Sequence, residues 1–288
     1  MLSFATRFLA RNLNLVIGAG FLFALLLGIV STVTGMVTEA PVKSAEHEFH
    51  LKPRDAGLQS AGLFGTFDKQ QLQRGFQVYK EVCSACHSLR LLSFRDLEKL
   101  GYDEGQVKTI ATDWQIEQPS VNPDTGEPAT RKNLPSDRFP LVFANDVAAR
   151  AANNNAVPPD LSLMTKARDD GPDYIYSLLT GYSPQPAELL REFPAAKTPT
   201  GLHFNRYFAT LNLAMAPPLT ATDQVQYQDG TRATVDQMAK DVSAFLTWTA
   251  EPNLETRHAA GAAVLIFLLI FTGLAWGAYR NIWRGIKH

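Results

Sequence analysis

Cys83-Ser84-Ala85-Cys86-His87 decides what kind of fold this chain can adopt. C-x-x-C-H is the attachment sequence of c-type haem. Two thiols three positions apart lie on adjacent faces of one helical turn, so both reach the two vinyl groups of one porphyrin. The imidazole directly after the second thiol can swing beneath the ring and ligate the iron. Zinc binding and thiol redox chemistry are the competing readings. Cys83 and Cys86 are the only cysteines in 288 residues, so a Cys₄ zinc site is excluded. A thioredoxin-like motif expects a βαβ setting, and no such pattern surrounds this one. The motif therefore reads as one covalently bound haem c with His87 as its proximal ligand.

Haem is joined to C-x-x-C-H outside the cytoplasm in bacteria, so the chain should carry an export signal. Residues 1–14 contain Arg7 and Arg11 and no acid, and 15–30 is an unbroken run of apolar residues and glycine. Positive charge ahead of an apolar run keeps the N-terminus inside and sends the downstream chain across the membrane. Continued through Val33 to Val37, the run is longer than a usual signal core. The candidate cleavage points after Ala40 and Ala45 lack a small-x-small pattern, since Thr38 or Lys43 falls at −3. Residues 1–45 thus read as a signal peptide or an N-terminal membrane segment, and we lean towards cleavage. Either puts the haem domain in the periplasm.

Ala259 to Tyr279 holds no charged residue, and about 20 helical residues rising 1.5 Å each cross a ~30 Å hydrocarbon core. Trp276 and Tyr279 near its distal end suit the membrane interface, and Arg280, Arg284 and Lys287 follow as a basic cluster that reads as cytoplasmic. The expected organisation is a periplasmic domain over 46–256, a transmembrane anchor over 257–280 and a cytoplasmic tail over 281–288. The membrane is the bacterial inner (cell) membrane. The exported part, roughly 210 residues, suffices for one domain with its own core. Lysine plus arginine and aspartate plus glutamate nearly balance, 27 against 28. Setting aside 1–14 and 280–288 leaves the exported part acidic, which favours a basic protein partner and argues against nucleic acid. No spare cysteines remain for a disulfide.

Asp68 and Gln71 have the spacing of a helix start with a capping box, and Phe67 and Leu72 that of a hydrophobic staple. Leu72, Phe76, Tyr79 and Cys83 follow at i, i+4, i+7 and i+11 and set one apolar face. This is the N-terminal helix of a cytochrome c fold, ending in the haem motif. A second helix is expected from Val235 to Thr249, with Thr234 and Gln237 as its capping box. Val235, Met238, Val242, Phe245 and Leu246 form its buried stripe, and Pro252 ends it. Between the two, Gln118 to Pro140 carries six prolines and glycines and reads as a surface excursion with little regular structure. Phe143 to Ala152 and Tyr174 to Thr180 are helical candidates, and Pro184 to Pro199 reads as another loop. The fold class is mainly α, a cytochrome c-type haem domain with long loops plus a C-terminal transmembrane helix.

One axial position on the iron remains, and methionine or histidine is its usual occupant. Met238 falls on the apolar face of the second helix and reads as core, as does Met164 in an expected helix start. Met215 sits in Leu213-Ala214-Met215-Ala216-Pro217-Pro218, where small neighbours allow close approach to a flat porphyrin and two prolines stiffen the chain. We favour Met215, with His203 as the bis-histidine alternative.

The chain resembles the cytochrome c1 family of ubiquinol–cytochrome c reductase over nearly the whole exported domain and the anchor. Phe64-Gly65-Thr66-Phe67-Asp68, Arg74-Gly75-Phe76-Gln77-Val78-Tyr79 and Val82-Cys83-Ser84-Ala85-Cys86-His87 look like the family's leader into its haem helix. The run Arg150 to Ser162, RAANNNAVPPDLS, is similar to its A-R-x-A-N-N-G-A-x-P-P-D-L-S loop, with Asn155 where glycine is common. Ala214-Met215-Ala216-Pro217-Pro218 matches its axial methionine segment. Asp229-Gly230-Thr231 and Val242 to Pro252 are also similar. The chain lacks the further cysteines of some bacterial members, so their disulfide is absent.

The resemblance implies that Arg150 pairs with a haem propionate and raises the iron potential; a solvated surface arginine is the alternative. It also implies that Tyr79 and the Pro158-Pro159 turn wall the haem pocket. The implied activity is electron transfer within ubiquinol–cytochrome c reductase. Cytochrome b and the Rieske iron–sulfur protein are the partners, and a c-type cytochrome is the acceptor. This chain shows no quinone pocket of its own. A free-standing shuttle or an oxidase subunit is the rival within the same class. A peroxidase needs an open distal site, and a haem-delivery protein needs labile attachment; neither suits a thioether-bound haem with a methionine ligand.

Overall fold

The computed structural model describes residues 12–38 and 43–285. Arg7, Arg11, the candidate cleavage point after Ala40 and Lys287 lie outside the described residues. The chain divides into two units, Met1–Glu48 and Phe49–His288. The first contains a long apolar helix, α1 (Leu13–Thr38), which buries none of its residues and is long enough to cross a membrane, a length that a signal sequence can also reach. A short helix, α2 (Ala45–Phe49), leads into the second unit.

The frame of the second unit is a crossing of α3 (Lys69–Val78) with α8 (Val235–Ala250). Both helices arise where expected, but neither closes a full capping box. Asp68 accepts from Gln70 N instead of pairing with Gln71. Gln71 donates across the crossing to Asp241 Oδ1 at 3.2 Å, and Gln237, one turn before Asp241 on α8 itself, donates to the same oxygen at 2.9 Å. A capping box needs the glutamine side chain to accept from the cap's backbone N–H; here each amide is instead turned to donate to this buried carboxylate, a charge-assisted bond. The helices meet at Gly75, where a Cβ would lie 2.0 Å from Asp241 O and 2.6 Å from Phe245 Cβ. Below the crossing, Phe76, Tyr79, Phe94, Trp114, Phe139 and Phe245 form one aromatic cluster, with Phe94 and Phe139 centroids only 4.2 Å apart. Each such ring contributes about 1.5–3 kcal/mol by burial. Met238 is fully buried here, as expected for a core methionine.

The haem helix does not run regularly into its motif. Tyr79–Cys83 forms a π-turn, with Ser84 N donating to Tyr79 O at 2.8 Å. The extra residue rotates the chain, so the expected i+11 continuation of the apolar face bends at Tyr79. A 3₁₀ segment (Phe94–Leu100) and α4 (Glu104–Thr112) then close over the aromatic cluster. The proline-rich stretch is more ordered than expected. It holds a hairpin of β1 (Gln118–Val121) and β2 (Pro128–Arg131), paired Gln118 to Arg131 and Val121 to Pro128. A two-stranded ribbon has only edge strands, and edges tolerate proline.

Next come α5 (Asp146–Ala152), capped by Asn145, and α6 (Gly171–Thr180). Met164 lies before α6 in a run of turns, half-buried against the core, and not in a helix start. The second expected loop contains α7 (Ala187–Glu192) and a 3₁₀ turn at Pro194–Ala196. Leu189 is fully buried and anchors them. Two short strands, β3 (His203–Phe204) and β4 (Asn212–Leu213), pair antiparallel. After α8, Pro252 lies in the break before α9 (Leu254–Ile282), an apolar helix with only Leu254 buried. The fold is mainly helical, with one candidate membrane span at its C-terminal end.

Candidate functional site

The π-turn delivers Cys83, half-buried against the core, while Cys86 is exposed and His87 half-buried. Burial, reinforced by Cys86, pushes the Cys83 thiol up to about 12. Tyr79 is buried to 1% and stacks on Trp114 at 6.4 Å. Its hydroxyl donates to His87 O at 2.9 Å, and burial raises its pKa. Tyr79 therefore ties the motif to the core.

The imidazole has a partner of its own. His87 Nδ1 lies 2.8 Å from Pro159 O. A carbonyl can only accept, so the proton sits on Nδ1 and the Nε2 lone pair is left for a metal. Burial lowers the His87 pKa, opposed by this bond and by Asp160, which keeps the ring neutral as a ligand must be.

The Pro159 segment is itself stitched to the haem motif. Asp160 Oδ2 accepts from Arg90 N at 2.9 Å, Ser162 Oγ accepts from Leu91 N at 3.1 Å, and Leu161 N donates to Ser88 O at 2.9 Å. These bonds fix the carbonyl that positions His87. The same segments leave Leu91, Val157 and Leu163 with 46%, 36% and 47% of their surface uncovered.

Arg150 lies in the last turn of α5 and is exposed. Its Nη1 donates to Asn155 O at 3.0 Å, and it makes no ion pair among the described residues. Asn154 and Asn155 have φ of 50° and 62°. Asparagine is the residue after glycine that best tolerates the left-handed region, which accounts for Asn155 at a position where glycine is common. Asn154 Nδ2 donates to Gly201 O at 2.8 Å and ties this turn to the loop before β3.

Met215 follows β4 and is half-buried. Its carbonyl accepts from the Tyr182 hydroxyl at 3.0 Å, and Gln224 clamps the far side by donating to Pro218 O at 2.8 Å. Leu211, just before β4, is buried with φ of 60°. A bulky side chain rarely adopts that conformation, and it persists only where the surroundings over-determine it. His203 pairs in register with Leu213, so the alternative ligand lies on the neighbouring strand. Nothing in the sequence marks Tyr182, Gln224 or the carbonyl of Pro159. An aromatic or amide side chain carries no motif, and a backbone atom carries no side-chain signal at all.

These residues fit a c-type haem. One thiol ends the π-turn and the other follows three residues on, an imidazole is aimed by its Nδ1, and apolar side chains stand uncovered on the segments around them. The sequence profile of the Cytochrome C1 family matches residues 58–286. The chain belongs to the cytochrome c1 family.

Cytochrome c1 of Rhodospirillum rubrum is 45% identical over 236 residues, covering 79% of this chain and 86% of that protein. A mitochondrial relative from Arabidopsis thaliana, named cytochrome c1 1, heme protein, is 42% identical over 258 residues, 88% of this chain and 80% of its own. A protein of Bradyrhizobium diazoefficiens named cytochrome b/c1 is 41% identical over 81% of this chain, which spans 36% of that longer protein. The cytochrome c1 match begins at residue 58, after α1 and α2, and runs through the apolar helix α9.

Proposed function

We propose that this chain is the haem-carrying electron-transfer subunit of a quinol–cytochrome c reductase, passing one electron at a time from a Rieske iron–sulfur protein to a c-type cytochrome. Membership of the cytochrome c1 family supports the complex, and the name of the Bradyrhizobium relative supports cytochrome b as a partner. The observation that carries the chemistry is the bond from His87 Nδ1 to Pro159 O, beside two cysteines in C-x-x-C-H spacing. When bound through Cys83 and Cys86, haem c supplies a one-electron couple between Fe(III) and Fe(II).

The chain's own residues hold and tune that couple. Pro159 keeps the proton on His87 Nδ1 and strengthens Nε2 as the proximal ligand. Met215 is the second ligand, and its segment is stiffened by Pro217 and Pro218 and held by Tyr182 and Gln224. A thioether favours Fe(II) and so gives the high potential an acceptor downstream of a Rieske centre needs. Arg150 offers an unneutralised guanidinium to a propionate. Tyr79 fixes the motif to the core and excludes water beneath it. The haem domain lies in the periplasm, with α9 in the inner membrane and the tail after Arg280 in the cytoplasm. The acidic exported surface steers a basic cytochrome by long-range attraction. Quinol chemistry belongs to cytochrome b; this subunit is part of an enzyme only in that assembly.

Purification from membranes tests the reading. Cytochrome b and Rieske subunits should copurify, haem stain should survive denaturing electrophoresis, and the reduced protein should bind little carbon monoxide. Haem lost to acid–acetone, or a chain isolated without those subunits, would sink it.

A further inference from the structure

The loop leading into α3 carries the two most exposed large apolar side chains among the described residues of the second unit, Leu63 at 83% and Phe64 at 88%. Isolated exposed apolar residues are ordinary, but an adjacent pair at the tip of a built turn is not. Thr66 N donates to Gln59 O at 3.0 Å and closes the loop, while Gly65 N donates to Gly62 O at 3.3 Å. Gly62 has φ of +79°, and a Cβ on Gly65 would lie 2.2 Å from Ser60 O. Ala56 and Leu58 at one root are buried in the core, and Phe67 packs against it at the other. The tip is thus a preformed wedge with a fixed base. From Ala56 to Phe67 there is no charged residue.

Its place in the fold identifies what it meets. Phe67 N donates to Glu255 Oε1 at 2.6 Å, which sets the loop beside the first turn of α9. Glu255 precedes the uncharged run that starts at Ala259 by four residues, about 6 Å along a helix. A headgroup layer is ~5–7 Å thick on each side of the hydrocarbon core, so the base of the wedge stands at headgroup level. A tip three or four residues away in the turn stands at most ~10–13 Å from Phe67, a span that covers the headgroup layer and its boundary with the acyl chains.

We propose that Leu63 and Phe64 form a second, interfacial membrane contact, a wedge that dips into the outer leaflet beside α9 and sets the tilt of the haem domain on the bilayer. The occupant is lipid, because the pair is apolar, the loop sequence from Ala56 to Phe67 carries no charge, and its base is bonded to the first turn of a helix that itself faces lipid. The inference rests on α9 spanning the membrane. A bulky aromatic and a leucine at this depth gain by burial in the acyl boundary, whereas a charge there would oppose entry.

The two native cysteines are consumed by thioethers, so Leu63→Cys adds the only reactive thiol of this chain for a nitroxide label, and the unsubstituted complex treated alike gives the background from the other subunits. The labelled complex is reconstituted in phosphatidylcholine–phosphatidylglycerol vesicles, and relaxation by oxygen is compared with relaxation by a water-soluble nickel chelate. Leu269→Cys, in the middle of α9, and Val121→Cys, on the exposed β1 strand, are the references. The label at 63 should shift towards the oxygen-dominated response of position 269. A nickel-dominated response like that of position 121 would overturn the proposal, and protection from both reagents would overturn it in favour of a protein neighbour. Nickel access at position 269 would show instead that α9 does not span the membrane.

Discussion

Met215 joins two kinds of constraint at one residue. Its sulfur is a soft donor, while its backbone is fixed by the Tyr182 hydroxyl, by β3–β4 pairing two residues earlier and by two prolines after it. A ligand presented on a stiff segment loses little entropy on coordination, so a weak thioether bond can persist. Met215→Leu keeps the volume and removes the donor. The midpoint potential should then fall by more than two ~59 mV steps, each a tenfold change in equilibrium constant. The reduced protein should also gain carbon monoxide binding at the open position. A redox titration that leaves the potential unchanged would exclude Met215, and His203 on the paired strand would be the residue to test next. Asn155 makes the complementary point, because its φ of 62° could be suspected only from the glycine common at that position, and no property of asparagine itself announces it.

The crossing of α3 and α8 is the element on which the site depends, since the π-turn, Tyr79 and the motif all follow directly from α3. Gly75→Ala would place a methyl 2.0 Å from a backbone carbonyl that cannot rotate away. Overpacking of this kind costs about 1–3 kcal/mol and occasionally more, a large part of a domain's ~5–15 kcal/mol. The unfolding midpoint of the holoprotein should drop sharply, with less haem-stained protein in membranes. An unchanged midpoint would mean that the helices do not meet at this distance. The crossing is legible in part: two apolar stripes and Thr234 and Asp68 as caps mark both helices. Elements lacking such a stripe are not legible. The helix α7 buries a single residue, Leu189, α4 buries only Val107 and Ala111, and the hairpin carries a proline in each strand. The π-turn is invisible to periodicity because it is itself a break in the period. Within the site, the cysteines and His87 are readable as a motif, whereas Pro159 acts through its carbonyl and needs the fold to reveal it.

At the scale of the whole molecule, α9 is tied to the helices before it by its first turn. Leu254 is buried and Glu255 holds Phe67 N, so a chain stopped after Thr256 keeps both. That chain should be soluble with an unaltered haem spectrum; if it stays in the membrane, α1 is retained in the mature protein. The forces holding the haem domain together include carboxylates that bridge segments distant in sequence. Asp229 meets Arg74 of α3 at 2.7 Å, Asp236 of α8 takes the Tyr176 hydroxyl of α6 and Lys240, and Glu251 meets Lys166 and Arg257. Lys240 and Tyr176 lower the pKa of Asp236. Burial pushes Asp229 and Glu251 up, but Thr231 and Arg74 in the first case, and Arg257 and Lys166 in the second, bring both below their ordinary values. A carboxyl depressed in the folded state binds fewer protons there than in the unfolded chain. Its stabilising effect is therefore complete above the unfolded values, ~4, and is lost as pH falls through the folded ones. The urea midpoint of the holoprotein should stay level from neutral pH to about 5 and then decline steeply. Asp229→Asn should lower the neutral midpoint and shrink the acid decline, because Arg74 then keeps only the buried Asp241. A midpoint that rises on acidification would show that desolvation outweighs these pairings.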